Sequence, residues 1–123
     1  MISIIDDDTL VRDATATLIR SLGFAPAKFA SAEAFLESDD IDHTQCLIVD
    51  VQLPGLSGID LQRRLQADGR KIPVIFITAF PEERLRASAA AAGAVGVLSK
   101  PFDPEVLMDC LSAALERGSG RPH

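Results

Sequence analysis

The sequence is poor in the residues that redox, zinc and nucleic-acid chemistry need. It has two cysteines, Cys46 and Cys110, with no CxxC pair and no histidine at metal spacing from either. They read as reduced, buried thiols rather than as a disulfide or a zinc site. His43 precedes a predicted strand and His123 ends the chain, so neither histidine offers base or metal chemistry. Basic residues are in the minority, 12 Lys and Arg against 18 Asp and Glu, giving a formal charge of −6. A surface of that sign cannot release counterions from phosphates, which argues against direct binding to nucleic acid or anionic lipid. No run reaches the roughly eighteen apolar residues of a membrane span. Acidic residues follow Ile5 directly, where a secretory signal would have a basic flank and a long apolar stretch. The expected location is therefore cytoplasmic. There is no GxGxxG and no P-loop to cradle a nucleotide.

What is present suits one compact domain: 123 residues, of which 47% are hydrophobic. Short apolar runs alternate five times with amphipathic stretches, the pattern of an α/β protein with a parallel sheet and crossover helices. The strand candidates are Ile2 to Ile5, Ala25 to Phe29, Gln45 to Val49, Val74 to Ile77 and Ala94 to Leu98. Helices are predicted near Thr9 to Leu22, Ala32 to Glu37, Gly58 to Asp68, Pro81 to Ala92 and Pro104 to Arg117. Gly23, Gly69, Gly93 and Gly118 each stand just past a proposed helix, where a residue with positive φ closes the last turn. Along the last helix Leu107, Leu111 and Leu115 recur beside Cys110 and Ala114, a stripe that faces a core. Pro26 lacks the amide hydrogen of a central ladder, so the second strand belongs at an edge. That favours a doubly wound sheet of order 2-1-3-4-5, with a ligand crevice beyond the carboxyl ends of strands one and three. The domain is expected to span 1–117, with 118–123 a flexible tail or linker stub.

On this topology the residues that close the strands gather at one crevice: Asp6, Asp7 and Asp8, then Asp50, then Thr78, then Lys100. Any one of them is explained by a strand end meeting water, and Asp8 or Thr9 by capping the first helix. The set is not, because like charges at about 4 Å repel by about 4 kcal/mol at an effective dielectric of roughly 20. Lys100 supplies one compensating cation. A hard divalent ion suited to carboxylate, carbonyl and water oxygens would supply the rest, which describes Mg²⁺ better than zinc.

Four blocks carry a specific resemblance: Ile4-Ile5-Asp6-Asp7-Asp8, Leu47-Ile48-Val49-Asp50-Val51-Gln52-Leu53-Pro54-Gly55 with Gly58, Ile77-Thr78-Ala79, and Lys100-Pro101-Phe102. In order and spacing the chain resembles the CheY-like receiver domain of two-component response regulators, down to about Arg117. The resemblance implies a five-stranded, flavodoxin-like (βα)5 fold and a phosphorylation switch rather than an enzyme with turnover. It implies Asp50 as phosphoacceptor, Asp7 and Asp50 as Mg²⁺ ligands with the Gln52 carbonyl, and Asp6 holding metal-bound water. Lys100 would pair with the phosphoryl oxygens, and Thr78 with the Ala79 amide would hydrogen-bond them. The implied donor is a sensor histidine kinase or phosphotransfer protein. Phosphorylation is expected to reposition the face of helix 4, strand 5 and helix 5, creating a surface for an output partner or a second copy. A cis Lys100-Pro101 bond is also implied, against a base rate of about 5–6% for X-Pro bonds.

Two features depart from the family's pattern. Val97 stands where many receivers carry an aromatic residue that swings inward, which puts the usual readout in doubt. Phe80 and Gln52 occupy positions that influence phosphoryl lifetime in the family, and Phe80 reads equally well as an apolar anchor. Among other classes, a haloacid-dehalogenase-type phosphatase also forms an aspartyl phosphate but needs an acid two residues after the nucleophile, where this chain has Gln52. A vestigial receiver serving only as an interaction module is disfavoured by the intact set Asp6, Asp7, Asp50, Thr78 and Lys100.

Overall fold

The computed structural model describes residues 1–79, 82–100 and 102–118. In chain order these form β1 (Ile2–Ile5), α1 (Thr9–Ser21), β2 (Pro26–Phe29), α2 (Ala32–Leu36), a 3-10 helix (Asp39–His43), β3 (Cys46–Asp50), α3 (Gly58–Ala67), β4 (Val74–Thr78), α4 (Glu83–Ala91), β5 (Gly96–Ser99) and α5 (Pro104–Gly118). The strands make one parallel sheet of order β2-β1-β3-β4-β5. Pro26 sits on the edge strand opposite Ile2, as its missing amide hydrogen requires.

Strand pleat sends alternate residues to opposite faces, and each face buries its own core. Leu47 and Val49, Val74 and Phe76 pack with Phe35, Leu61 and Leu65 under α2, α3 and α4. Cys46 and Ile48, Ile75 and Ile77 pack with Ala16, Ile19, Leu107 and Leu111 under α1 and α5. Both sides being covered explains why β1, β3 and β4 are buried at every position and mostly apolar, rather than alternating.

Several limits differ from the sequence expectation, each for a local reason. Asp50 and Thr78 lie inside their strands, because Asp50 pairs with Ile77 and Thr78 with Ser99; a polar side chain does not end a backbone ladder. Gly23, Gly69 and Gly93 have positive φ, as predicted, whereas Gly118 falls within α5. Helix α4 begins at Glu83, later than Pro81, and its N-cap Glu82 makes no side-chain capping bond. The short helix Asp39–His43 has no counterpart among the expected elements. Cys46 is buried, and burial pushes its thiol up to about 12, but Cys110 is only half-buried. Phe80, Pro81, the Lys100-Pro101 bond and the expected tail from 119 onward lie outside the described residues.

Candidate functional site

The carboxyl ends of β1, β3, β4 and β5 meet where the winding direction changes, and each delivers one element of the site. The three consecutive acids after β1 take three different positions. Asp6 is fully buried, its amide bonded to the Phe29 carbonyl at 3.2 Å and its Oδ1 accepting the Asp8 amide at 2.9 Å. Asp7 is exposed at the mouth of the crevice. Asp8 is the N-cap of α1, its Oδ1 accepting the amides of Leu10 and Val11 at 2.9 and 3.4 Å.

Asp50 closes β3 and is nearly buried. Its Oδ1 accepts the Gln52 amide at 2.9 Å, an Asx-type turn that starts the loop toward α3. Gly58 opens α3 directly against it. Added to Gly58, a Cβ would lie 2.8 Å from the Asp50 carbonyl oxygen and 3.1 Å from the Val51 Cα, so a side chain there would displace the strand end.

Lys100, just past β5, reaches both buried acids. Its Nζ donates to Asp50 Oδ2 at 2.7 Å and lies 2.9 Å from Asp6 Oδ2. The second contact is an ion pair without hydrogen-bond geometry, which leaves Asp6 Oδ2 buried with no hydrogen bond. Burial pushes the Asp6 carboxyl upward against the opposing pull of the Asp8 amide and Lys100. For Lys100, burial pulls the ammonium down, and the carboxylates of Asp50 and Asp6 more than reverse it, so its net shift is upward. Thr78 ends β4, fully buried, and its carbonyl accepts the Lys100 amide at 2.8 Å, which ties the two strand ends together.

Carboxylate oxygens of Asp6, Asp7 and Asp50 lie within 4.8 Å of one another. Lys100 alone cannot balance three acids, and one buried oxygen of the group lacks a hydrogen bond. An oxygen-lined, net-negative pocket of this kind fits a hard divalent cation. Val97, in place of the aromatic of many receivers, packs against the core on the α3 and α4 side, and its carbonyl accepts Arg86 Nη1 at 3.3 Å.

Two groups of polar contacts were not foreseen. Gln62 and Gln66 of α3 both donate to the Ala92 carbonyl, at 2.9 and 2.6 Å, and so fasten the end of α4. Arg12 of α1 donates to the Asp6 carbonyl at 2.7 Å. The sequence signals were slight: a glutamine beside the Leu61 and Leu65 stripe, and one arginine a turn after three acids.

The family described as Response regulator receiver domain matches residues 2–112. The chain belongs to that family. It is 40% identical over 116 residues to the response regulator protein TodT of Pseudomonas putida, covering 94% of this chain and 51% of TodT. It is 40% identical over 121 residues to nodulation protein W of Bradyrhizobium diazoefficiens, covering 98% of this chain and 53% of that protein. Among solved structures it superposes on the response regulator StyR with a TM-score of 0.88 at 37% identity, over 96% of this chain and 60% of StyR. With FixJ-N the TM-score is 0.84 at 33% identity, over 94% and 92% of the two chains. The chain spans about half the length of the curated relatives it matches. Among the described residues no helix is long and apolar enough to cross a membrane.

Proposed function

We propose that this receiver is a cytoplasmic phosphorylation switch that accepts a phosphoryl group from a phosphohistidine of a sensor kinase or phosphotransfer protein onto Asp50. The observation that carries the reading is Lys100 bridging Asp50 and Asp6 while Asp7 completes a cluster of acids. The residues that would hold Mg²⁺ are Asp7, Asp50 and the Gln52 carbonyl, with Asp6 acting through water. When bound, the ion neutralises charge on the phosphoryl oxygens and holds the donor in line.

The chain's own groups do the rest. Asp50 supplies the attacking carboxylate oxygen; an O–P bond forms as the donor's N–P bond breaks, and the electron pair leaves with the imidazole. Lys100, held beside Asp50, offers its ammonium to the phosphoryl oxygens. The Thr78 hydroxyl and the Ala79 amide would bind the group once attached. The product stays on the protein, so the chain acts as a switch and not as an enzyme that turns over a free substrate. Beside the mouth, α1 leaves Leu10 81% exposed, and Val11, Ala14, Leu18, Phe102 and Pro104 line an apolar cleft of about 580 Å³. A donor protein can rest there with its histidine facing Asp50.

Output is proposed to leave through α4, β5 and α5 to a partner or a second copy. TdiR and FixJ are named transcriptional regulatory proteins, and control of such an output suits a chain whose acidic surface disfavours direct contact with DNA.

Intact-mass measurement after acetyl phosphate tests the assignment. One phosphoryl adduct is expected with Mg²⁺, and none with chelator or in Asp50→Asn; equal labelling of that variant and the wild type would refute it.

A further inference from the structure

The first turn of α1 directs an arginine at a backbone carbonyl rather than at a carboxylate. Arg12 Nη1 donates to the Asp6 carbonyl oxygen at 2.7 Å, and Nη2 lies 3.4 Å from the Thr9 hydroxyl. Among the described residues Arg12 makes no ion pair. Its backbone is fixed by the helix it belongs to, with the Arg12 amide bonded to the Asp8 carbonyl at 2.9 Å. The guanidinium therefore spans the acidic loop from α1 back to the end of β1.

We infer that Arg12 is a positioning residue for the acidic site: by holding the Asp6 carbonyl it fixes the peptide that joins Asp6 to Asp7, and with it the directions of both carboxylates. A peptide unit is planar, so fixing the Asp6 C=O also fixes the Asp7 N–H and the line to the Asp7 Cα. The other groups of Asp6 are already held, its amide by Phe29 and its Oδ1 by the Asp8 amide. Asp7 is exposed, and among the described residues its side chain makes no hydrogen bond or ion pair. Its direction depends on the backbone that Arg12 holds. Without that hydrogen bond the carbonyl of a buried residue would turn toward water, and Asp7 would swing away from Asp50. The effect falls on how well the site binds a cation rather than on the reactivity of Asp50, which β3, Lys100 and Gln52 hold from the other side.

This inference rests on the proposal that Asp7 and Asp50 bind a divalent cation. Its test uses Mg²⁺ itself, titrated by calorimetry into wild type, Arg12→Ala, Arg12→Lys and Asp7→Asn, with metal-free thermal melts and labelling by acetyl phosphate over a range of Mg²⁺. Arg12→Ala should weaken Mg²⁺ binding on the order of tenfold, as loss of a ligand's supporting partner does. The Mg²⁺ needed for half-maximal labelling should rise in parallel, while the labelling rate at saturating Mg²⁺ recovers. Arg12→Lys, which keeps a donor of similar reach, should restore most of the affinity. Unchanged Mg²⁺ affinity in Arg12→Ala, with Asp7→Asn binding poorly, would overturn the role of Arg12 alone. Unchanged affinity in Asp7→Asn would instead overturn the metal site, and the inference with it. If Arg12→Ala does not fold, Arg12→Gln replaces it, and wild-type affinity in a variant that no longer holds the carbonyl by exchange measurements would be equally fatal.

Discussion

Helices α3 and α4 start beside the same crevice, α3 after the strand of Asp50 and α4 after the strand of Thr78, yet they are held very differently. Helix α3 is capped by the Ser57 side chain, presses Gly58 onto the Asp50 carbonyl and buries Leu61, Gln62 and Leu65. Helix α4 has no side-chain cap and buries Ala89 alone of its nine residues. Its far end is fastened by Gln62 and Gln66 on the Ala92 carbonyl, and Arg86 reaches the Val97 carbonyl. Asp50 thus stands against a closely packed helix, while the neighbouring helix is tied mainly at its far end. A change at the site costs least where few apolar contacts must be broken, which marks the first turns of α4 as the part able to move. Val97 agrees with this: it is stiff at χ1 and cannot swing as a ring does, so movement must go into backbone and helix.

The contrast can be broken most directly by truncation. Leu61→Ala in α3 removes a fully buried side chain and should cost about 2–5 kcal/mol, whereas the partly buried Leu85 of α4 should cost less than about 2 kcal/mol on the same change. Urea melts of both variants decide it, and equal losses would mean that α4 is anchored as firmly as α3. Gly58→Ala should come next, at about 1–3 kcal/mol, because the new methyl meets the Asp50 carbonyl. Labelling of Asp50 should slow as the strand end shifts. A variant with wild-type stability and labelling would show that α3 does not brace Asp50.

A smaller effect concerns the charge beneath that support. In the metal-free protein the raised pKa of Asp6 gives stability that is fully present below the ordinary carboxylate value of 3.8 and is lost as pH rises through the folded pKa. Asp6→Asn lacks this penalty, so its stability relative to wild type should increase over that rise, and Mg²⁺ should narrow the gap. A difference that does not vary with pH would contradict the assignment. Last, with beryllofluoride and Mg²⁺ the amides of Glu83 to Ala87 should change exchange rate by roughly tenfold, equivalent to about 1.4 kcal/mol, with those of Leu61 to Leu65 unchanged. Changes confined to 50–58 would place the output elsewhere.

Much of this was legible in the residues. Apolar runs marked the strands, Pro26 the edge, three glycines the helix ends, and four polar blocks the rim of one crevice, because each is a local preference of backbone or burial. The short helix Asp39–His43 was not legible, since a polar stretch without apolar period resembles a loop. Nor were the contacts of Arg12, Gln62 and Gln66, whose partners are backbone carbonyls. Any residue supplies a carbonyl, so its place leaves no mark on side-chain identity.

The acids after β1 show the division most clearly. By itself the sequence determined that three carboxylates follow a buried strand and that Asp50 and Lys100 close two others, which is enough to gather them at one switch point of a parallel sheet. The tertiary structure decided their separate fates. Asp6 continues inward to Lys100, Asp7 faces the mouth and Asp8 caps α1. The place of Asp8 just before a helix already marked it as a candidate cap, but identical side chains do not tell Asp6 from Asp7. The difference comes from the pleat at the end of β1, which turns Asp6 inward, and from the start of α1 at Thr9, whose first amides take the Asp8 carboxylate.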